Sequence, residues 1–542
     1  MTMTAGRLSR AAPWLLALVV AATYAPSLSG GFLSYDDPWL IRQSPLLRRA
    51  DAGALAAIWT DLRHDTRMGL GAEYLPVRDT LQWIEARVHD LHPQVMRALS
   101  LVLYLAGILV LRSYLRRALD STFAAELSTW LFALHPIHAE SVAWLAGRKD
   151  LLALLFVAAA LTVYAGSSRR RVWLVPLLFG LACFSKGVAV AAPLLLPVHD
   201  VLKGRRPQQA FFWPSLVVAI GALVLHAKVG ALVSMTSGPP GGSRLAAAAT
   251  MGPVFLRYLE NLIWPANLSV FYDVPARSPG ELGAWLAYLP LVVWAAAGAI
   301  LHRRDRQLAV VVWGALAWFL LPLAPTSQVV VTLENLMADR YLLLSALGLC
   351  VLAAEAVARA PSPVVRHGLA AALCFGLATT AAVRGHVFAD DVRLWTDATE
   401  KTSVSPGPPY QLALSFEERG RPVDAERAYR VAVGRKGGTS PIGPGGDVAR
   451  KAANNLAALL TRQGRLAEAE PILRSAVARF PDDPRVLNNL AEVVARRGDE
   501  DEARRLYDQL ITRFPHYALG RRNYERRYEA RGEPAPAPPP SR

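Results

Sequence analysis

The chain has 542 residues, of which 53% are hydrophobic and only 19% are charged. Soluble proteins carry about a quarter charged residues, so this composition argues against an ordinary cytosolic enzyme and excludes disorder over most of the length. Lysine and arginine outnumber aspartate and glutamate by 59 to 43, which gives a net charge of +16. Most of these cations end apolar segments rather than forming one patch, so no nucleic-acid partner is expected.

Long apolar runs recur from about residue 11 to residue 387, and many approach the roughly 20 residues that a helix needs to cross a bilayer. The sequence therefore predicts an all-α, polytopic membrane domain over residues 1–388 with about eleven spans. The predicted spans are 11–28, 95–115, 122–134, 149–166, 172–184, 187–202, 211–231, 284–301, 308–324, 340–358 and 366–387. A half-apolar stretch over 245–264 is expected to lie at the interface or to re-enter the membrane.

Basic residues cluster at every second boundary between predicted spans, as at 116–117, 169–171 and 303–304. Cytoplasmic loops carry such an excess of lysine and arginine. The intervening connections, 29–94, 135–148, 232–283 and 326–338, are then assigned to the other face of the membrane. In a bacterial host this is the periplasmic face of the inner membrane, and an odd number of spans places the C-terminal region there too.

Two adjacent acidic residues, Asp36 and Asp37, follow the first predicted span. Ionisable residues beside membrane segments are costly to desolvate and often mark function. Adjacent carboxylates raise each other's pKa unless a cation relieves them, which suits general-base catalysis or binding of Mg²⁺ or Mn²⁺. The alternative is a turn in which an aspartate caps a short helix.

A second polar segment contains His135, His138 and Glu140, and Arg148 and Asp150 follow it closely. These side chains suit binding of a metal, a phosphate or a sugar hydroxyl. Proline and glycine within the segment would bend the backbone around a cavity, where irregular backbone is tolerated at membrane depth. The alternative is a set of interfacial polar residues that face water.

Further candidate ligands for an anionic substrate lie later in the chain. Lys186, between two apolar runs, either binds an anion or extends to the membrane interface. Arg244, behind a glycine- and proline-rich loop, is a candidate for binding a lipid phosphate. The segment before the span 340–358 adds Glu334, Asp339, Arg340 and Tyr341. The arginine fork matches phosphate oxygens, although an ion pair at a helix start is the alternative.

The last third of the chain is rich in charge and repeats every 34 residues. Asn454, Gly464, Ala469 and Pro481 recur as Asn488, Gly498, Ala503 and Pro515. A tetratricopeptide repeat (TPR) has this length. We expect Gly464 and Ala469 to allow close packing of two helices, and the proline to end the second helix. The pattern predicts a TPR α-solenoid over 389–533, followed by a disordered, proline-rich tail over 534–542.

Together these features resemble the transmembrane-and-TPR O-mannosyltransferase family, in the GT-C class of polytopic glycosyltransferases that use lipid phosphosugars. The features carrying the resemblance are Tyr35–Asp36–Asp37, Tyr74–Leu75–Pro76, the segments 135–140 and 147–150, Ser185–Lys186, Ala338–Asp339–Arg340–Tyr341 and the repeats. The chain departs from the family pattern at Gly187, where an acidic residue is frequent, and at Arg78, which stands outside the Tyr-x-Pro segment.

The resemblance implies that Asp36 or Asp37 acts as a base or metal ligand, and that the segments 135–150 and 339–341 shape the donor site. The reaction implied is transfer of a sugar such as mannose from a polyprenyl phosphate to a protein or glycan hydroxyl, with the TPR groove holding the acceptor or a partner. A membrane-anchored TPR scaffold with a non-catalytic membrane half is an open alternative. A transporter is a second one, although transporters usually show internal repeats in their membrane half.

Overall fold

The protein is described from a computed structural model. The described residues are 2–167, 170–233, 238–329, 331–333, 335–435, 437, 439–440 and 443–528. The chain divides into two compact units, here called the membrane unit (Met1–Leu394) and the repeat unit (Trp395–Arg542). Apart from a ladder between Thr439–Ser440 and Gly443–Pro444, the described secondary structure is helical, so the predicted all-α fold is confirmed. The tail at 534–542, predicted to be disordered, lies outside the described residues.

The membrane unit is built from long apolar helices joined by shorter helical segments. Its α-helices are α1 (Thr2–Tyr24), α2 (Pro45–Arg48), α3 (Ala52–Thr60), α4 (His64–Gly69), α5 (Pro76–Val88), α6 (Pro93–Ala118), α7 (Thr122–Leu134), α8 (Ala139–Ala143), α9 (Arg148–Tyr164), α10 (Arg171–Cys183), α11 (Leu195–Leu202), α12 (Gln209–Leu232), α13 (Arg244–Ile263), α14 (Leu282–Leu286), α15 (Leu289–Arg304), α16 (Arg306–Leu323), α17 (Ala346–Ala358) and α18 (Pro363–Val387). Turns of 3₁₀ helix include Ala25–Ser27, Pro136–His138, Leu145–Gly147, Gly187–Leu194 and Asp339–Leu342, and Pro38–Arg42 is a short π-helix.

Each predicted span overlaps one of these helices or two consecutive helical segments, as 284–301 overlaps α14 and α15. Five stretches are long and apolar enough to cross a membrane, judged by length and composition, and shorter apolar helices accompany them. The five are Pro93–Ala118, Gln209–Leu232, Leu282–Arg304, Arg306–Thr326 and Pro363–Val387. The chain is therefore an integral membrane protein, whereas the count of eleven spans is not confirmed.

Capping residues and small residues explain where these helices begin and how closely they pack. Ser121, Asp305 and Ser362 each accept a hydrogen bond from a backbone N–H at the start of α7, α16 and α18. Gly348 of α17 lies so close to α16 that a Cβ there would be 2.2 Å from the Ala315 carbonyl oxygen. Membrane helices approach closely at such small residues.

The repeat unit consists of antiparallel helix pairs. The pairs are α20 (Gly407–Glu418) with α21 (Pro422–Gly434), α22 (Gly445–Arg462) with α23 (Leu466–Arg479), and α24 (Pro484–Arg496) with α25 (Glu500–Arg513). A further helix, α26 (Ala518–Arg527), follows them, and α19 (Asp391–Lys401) crosses the boundary between the two units. First helices of successive pairs stack on one another, as in a solenoid.

The sequence predicts the wrong reason for the glycine at position 464. Gly464 has a φ of +76°, and a Cβ added there would meet nothing within 4 Å. The turn between helices needs glycine because of its left-handed backbone, not because of close packing. Ala469 and its equivalent Ala503 are fully buried, at 0% exposure, as expected where two helices cross.

Candidate functional site

The acidic pair lies in the loop after α1, and its two members have different surroundings. Asp37 is 0% exposed, and its oxygens accept hydrogen bonds from Leu33 N at 2.9 Å and Ala146 N at 3.1 Å. Burial raises the pKa of Asp37 to about 7, although both backbone bonds oppose the rise. Asp37 therefore ties the loop to the turn that precedes α9.

Asp36 is only partly buried, and its carboxylate accepts a long hydrogen bond of 3.4 Å from Trp39 Nε1. Burial raises its pKa, while the nearby cations Lys149 and Arg340 act to lower it. A carboxylate with a raised pKa and a free lone pair accepts a proton more readily than an ordinary aspartate. Of the two residues, Asp36 has the environment of a base.

Arg340 is held beside this loop by a buried acid and two aromatic rings. Its guanidinium pairs with Glu140, and its backbone N–H donates to the same carboxylate at 3.1 Å. The guanidinium lies 5.4 Å from the ring centroid of Trp144, and that ring stacks on Tyr35 at 5.1 Å. These contacts bring residues 35, 140, 144 and 340 together from three separate segments of the chain.

Two lysines complete the group. Lys149 Nζ donates to Glu73 at 2.6 Å, and Lys186 Nζ lies 3.1 Å from Asp150. Burial acts to raise the pKa of Glu73, but Lys149 and other nearby cations outweigh it and hold that pKa well below its ordinary range. We call this group the charged cluster; its members are Asp36, Glu73, Glu140, Lys149, Asp150, Lys186 and Arg340.

The predicted histidines lie in contacts of their own rather than in the charged cluster. His135 Nε2 is 3.0 Å from the Leu262 carbonyl, and its Nδ1 accepts from Ile137 N at 3.2 Å. Burial lowers the pKa of His135 to about 4, so its ring is neutral. His138 Nδ1 is 2.9 Å from the hydroxyl of Tyr104. Both rings support the turn between α7 and α8.

Other candidate residues are distributed as follows. Arg148 forms a buried two-point ion pair with Glu85, in which Nη1 donates to Oε2 at 2.5 Å and Nη2 donates to Oε1. Asp339 accepts a hydrogen bond of 2.6 Å from the Tyr272 hydroxyl and so anchors the loop before α14. Arg244 is exposed at the start of α13, the helix whose other end approaches Asp339 through Asn261.

About 25 Å of helix separates Arg244 from Asn261 at 1.5 Å per residue, so Arg244 is remote from the cluster. Tyr341 directly follows Arg340, whose guanidinium lies 5.3 Å from the tyrosine ring. Glu334 lies outside the described residues.

Four charged residues that build this region were given no role by the sequence reasoning. Glu73 and Arg78 form an ion pair of 2.9 Å beside Lys149, and Glu85 holds Arg148. Arg97 of α6 donates to four carbonyl oxygens, including Ala143 at 2.6 Å and Phe388 at 3.1 Å. Arg97 lies inside the predicted span 95–115, so the rule that singles out ionisable residues in membrane segments would have identified it.

The residues around Asp36 do not fit a resident divalent cation. Both oxygens of Asp37 are bonded to backbone N–H groups, and the charges that face Asp36 include Lys149 and Arg340. Among the described residues, no group of three or more histidine, cysteine, aspartate and glutamate side chains is placed to hold a metal. A Mg²⁺ or Mn²⁺ site usually offers several free oxygen ligands, which this neighbourhood lacks.

Comparison with known proteins identifies the repeats and finds one relative that matches part of the chain. A family model for the tetratricopeptide repeat matches residues 410–484 and 454–518, which confirms the predicted repeats. A protein O-mannosyl-transferase of Caenorhabditis elegans is 27% identical over 156 residues. That match covers 28% of this chain and 22% of the relative, so the chain spans less than a quarter of the relative's length.

Among solved structures, the chain is similar to the crystal structure of an Archaeoglobus fulgidus oligosaccharyltransferase tethered to an acceptor peptide. Its TM-score is 0.36 and its sequence identity 14%, over 80% of this chain and 60% of that one. The chain is an integral membrane protein with C-terminal tetratricopeptide repeats, and it resembles the transmembrane-and-TPR O-mannosyltransferase family.

Proposed function

We propose that the chain is an integral-membrane glycosyltransferase that moves a sugar, such as mannose, from a polyprenyl phosphate to a protein or glycan hydroxyl. The reaction would occur on the extracytoplasmic side. The observation that carries the proposal is the placement of Asp36, a partly buried carboxylate with a raised pKa that faces the cations Lys149 and Arg340. The similarity to an O-mannosyl-transferase supports the reaction class.

The chemistry is a displacement at the anomeric carbon of the donor sugar. The acceptor hydroxyl attacks this carbon and forms the new C–O bond, while the bond to the phosphate oxygen breaks with its electron pair. The proton of the acceptor hydroxyl passes to the Asp36 carboxylate, and the polyprenyl phosphate leaves as an anion. Attack from the face opposite the phosphate inverts the anomeric configuration, through a transition state with oxocarbenium character.

Side-chain cations supply the charge that stabilises the leaving phosphate. Lys149, Lys186 and Arg340 meet in the charged cluster, and each is paired with a carboxylate there. Fixed cations aimed at developing negative charge lower the barrier without reorganising during the reaction.

The repeat unit would bind the acceptor protein or a partner. TPR solenoids present an extended surface made by the first helices of successive pairs, and α20, α22 and α24 stack in this way. Such a surface suits a polypeptide more than a small molecule.

The proposal is tested by turnover of purified full-length protein with a polyprenyl phosphosugar and a hydroxyl acceptor. Asp36→Asn keeps the shape but removes the proton acceptor, so we expect turnover to fall by about 10²–10⁴-fold with unchanged thermal stability. Asp90→Asn is the matched control, because Asp90 is an exposed aspartate of the same outer segment, with 87% side-chain exposure. Turnover of Asp36→Asn equal to that of the control would contradict the enzyme mechanism and favour the scaffold.

A further inference from the structure

Among the described residues, the buried polar atoms that lack a hydrogen-bond partner include one in the charged cluster and one on a ring packed against it. One is the indole Nε1 of Trp144, a residue that is 2% exposed, and the other is Oδ2 of Asp150, which is 4% exposed. Burying a polar atom without a partner is unfavourable, and the N–H of a buried tryptophan usually has one. These two atoms therefore retain hydrogen-bonding capacity that a bound molecule can use.

Both residues belong to the region where the sugar would be transferred. The ring of Trp144 contacts both the ring of Tyr35, which directly precedes Asp36, and the guanidinium of Arg340. The other oxygen of Asp150 faces Lys186 at 3.1 Å.

The chemistry of the two atoms distinguishes between parts of the donor. The Trp144 indole N–H can only donate, and the Asp150 carboxylate can only accept. A phosphate oxygen would satisfy the indole but would be repelled by the carboxylate. A sugar hydroxyl both donates and accepts, so the hydroxyl groups of a sugar match both atoms.

We propose that Trp144 and Asp150 bind hydroxyl groups of the donor's sugar, and so form the sugar subsite of the enzyme. This inference rests on the proposed function. It separates two tasks within the cluster: the cations hold the phosphate, while Trp144 and Asp150 recognise the sugar.

The experiment measures binding of polyprenyl phosphates to the full-length protein in lipid nanodiscs. The probes carry mannose, glucose, galactose or no sugar. We expect at least one sugar-bearing lipid to bind the wild-type protein about tenfold more tightly than bare polyprenyl phosphate. Trp144→Phe keeps the stacked ring but removes the N–H, and we expect it to abolish this advantage while leaving the affinity for the bare lipid unchanged.

Trp294→Phe is the matched control, since the indole N–H of Trp294 is already bonded to the Val312 carbonyl at 3.2 Å. Both affinities should survive that change. A second measurement needs no variant: among monodeoxy analogues of the preferred sugar, at least one should bind the wild type about tenfold more weakly.

The inference is overturned if Trp144→Phe weakens both lipids equally, if sugar and bare lipids bind alike, or if every deoxy analogue binds like its parent. Absence of binding of any polyprenyl phosphate would instead contradict the proposed function itself.

Discussion

Arg97 shows how a single charged residue organises the loops around the site. Its guanidinium donates to the carbonyls of Ser27 at 3.0 Å and Gly31 at 2.7 Å, next to the acidic pair, and to those of Ala143 and Phe388. A buried charge is tolerated only when it is hydrogen-bonded or paired. Arg97 meets this condition with four backbone oxygens from three segments, and so fixes those segments relative to one another.

Asp37→Asn should destabilise the fold rather than remove the base. An amide can accept from one of the two backbone N–H groups, but its NH₂ group then faces the other, at a cost of about 1–3 kcal/mol. The pKa of folded Asp37 is about 7, above the ordinary 3.8, so its ionisation removes stability as pH rises through this range. The asparagine cannot ionise, so the stability deficit of the variant should shrink between pH 5 and pH 8.

Thermal melting of the purified variant at both pH values measures this deficit. Asp90→Asn should melt like the wild type throughout. A deficit that grows with pH would show that ionised Asp37 stabilises the fold, contrary to the effect of its burial.

The titration of Lys186 should determine how the activity falls at alkaline pH. Burial lowers its pKa to about 8, even though Asp150 acts in the opposite direction. If Lys186 binds the donor phosphate, kcat/KM for the donor should fall as pH rises through about 8, because the lysine loses its charge. Lys186→Arg keeps a charge throughout this range, so its activity should not fall there.

Steady-state rates between pH 6 and pH 10 test this expectation. Lys203→Arg, at an ion pair with Asp120 beyond the end of α11, should retain the wild-type decline. The same decline in Lys186→Arg would assign the alkaline titration to another group.

The sequence predicts single site residues that lie beside apolar runs. It does not predict which residues from distant segments pair with one another. Asp36, Lys186 and Arg340 stand out as ionisable residues beside apolar runs, and all three lie in the charged cluster. The pairing does not stand out, even where both partners do: Lys149 is 76 residues from Glu73, and Arg340 is 200 residues from Glu140. Only tertiary packing reveals these pairs, and it also distinguishes Asp36 from Asp37, which the sequence leaves equivalent.

At the scale of elements, periodic signals were the most informative. Apolar runs gave every predicted span a matching helix, and the 34-residue period identified the repeats. The sequence was less informative about why a particular residue is needed. Glycine is required at 464 by a φ of +76° rather than by a close neighbour. Backbone conformation and close packing both select glycine, and a sequence alone does not separate them.

Ala469→Arg should disrupt the second helix pair of the repeat unit. Ala469 is 0% exposed, so the larger side chain overfills the contact and should cost about 1–3 kcal/mol or more. In the full-length protein, hydrogen exchange should become faster across α22 and α23, while α6 and α9 remain protected. Ala467→Arg is the matched control, because that alanine is exposed on the same helix. Equal protection in the two variants would contradict the repeat register.

At the scale of the whole membrane unit, the site and the basic loops lie at opposite ends of the same helices. α9 begins at Arg148 beside the charged cluster, and α10 runs from the basic end at Arg171 towards Lys186. α6 carries Arg97 in its first turn and Arg116 near its end. Because basic loops favour the cytoplasm, this arrangement favours an extracytoplasmic site.

We predict the side of the membrane on which the repeats lie from the end at which the chain leaves its last membrane helix. Phe388, directly after α18, accepts from Arg97 at 3.1 Å, and Asp391 accepts from Ser34 N at 2.8 Å. The chain therefore leaves α18 at the end that holds the acidic pair, whatever the total number of spans. A reporter that is active only in the cytoplasm should stay silent when fused after Arg542, and should be active when fused after Arg206 in the basic loop following α11. Cytoplasmic activity of the Arg542 fusion, with the Arg206 fusion also active, would contradict the orientation and the proposal that the repeats present an acceptor to the site.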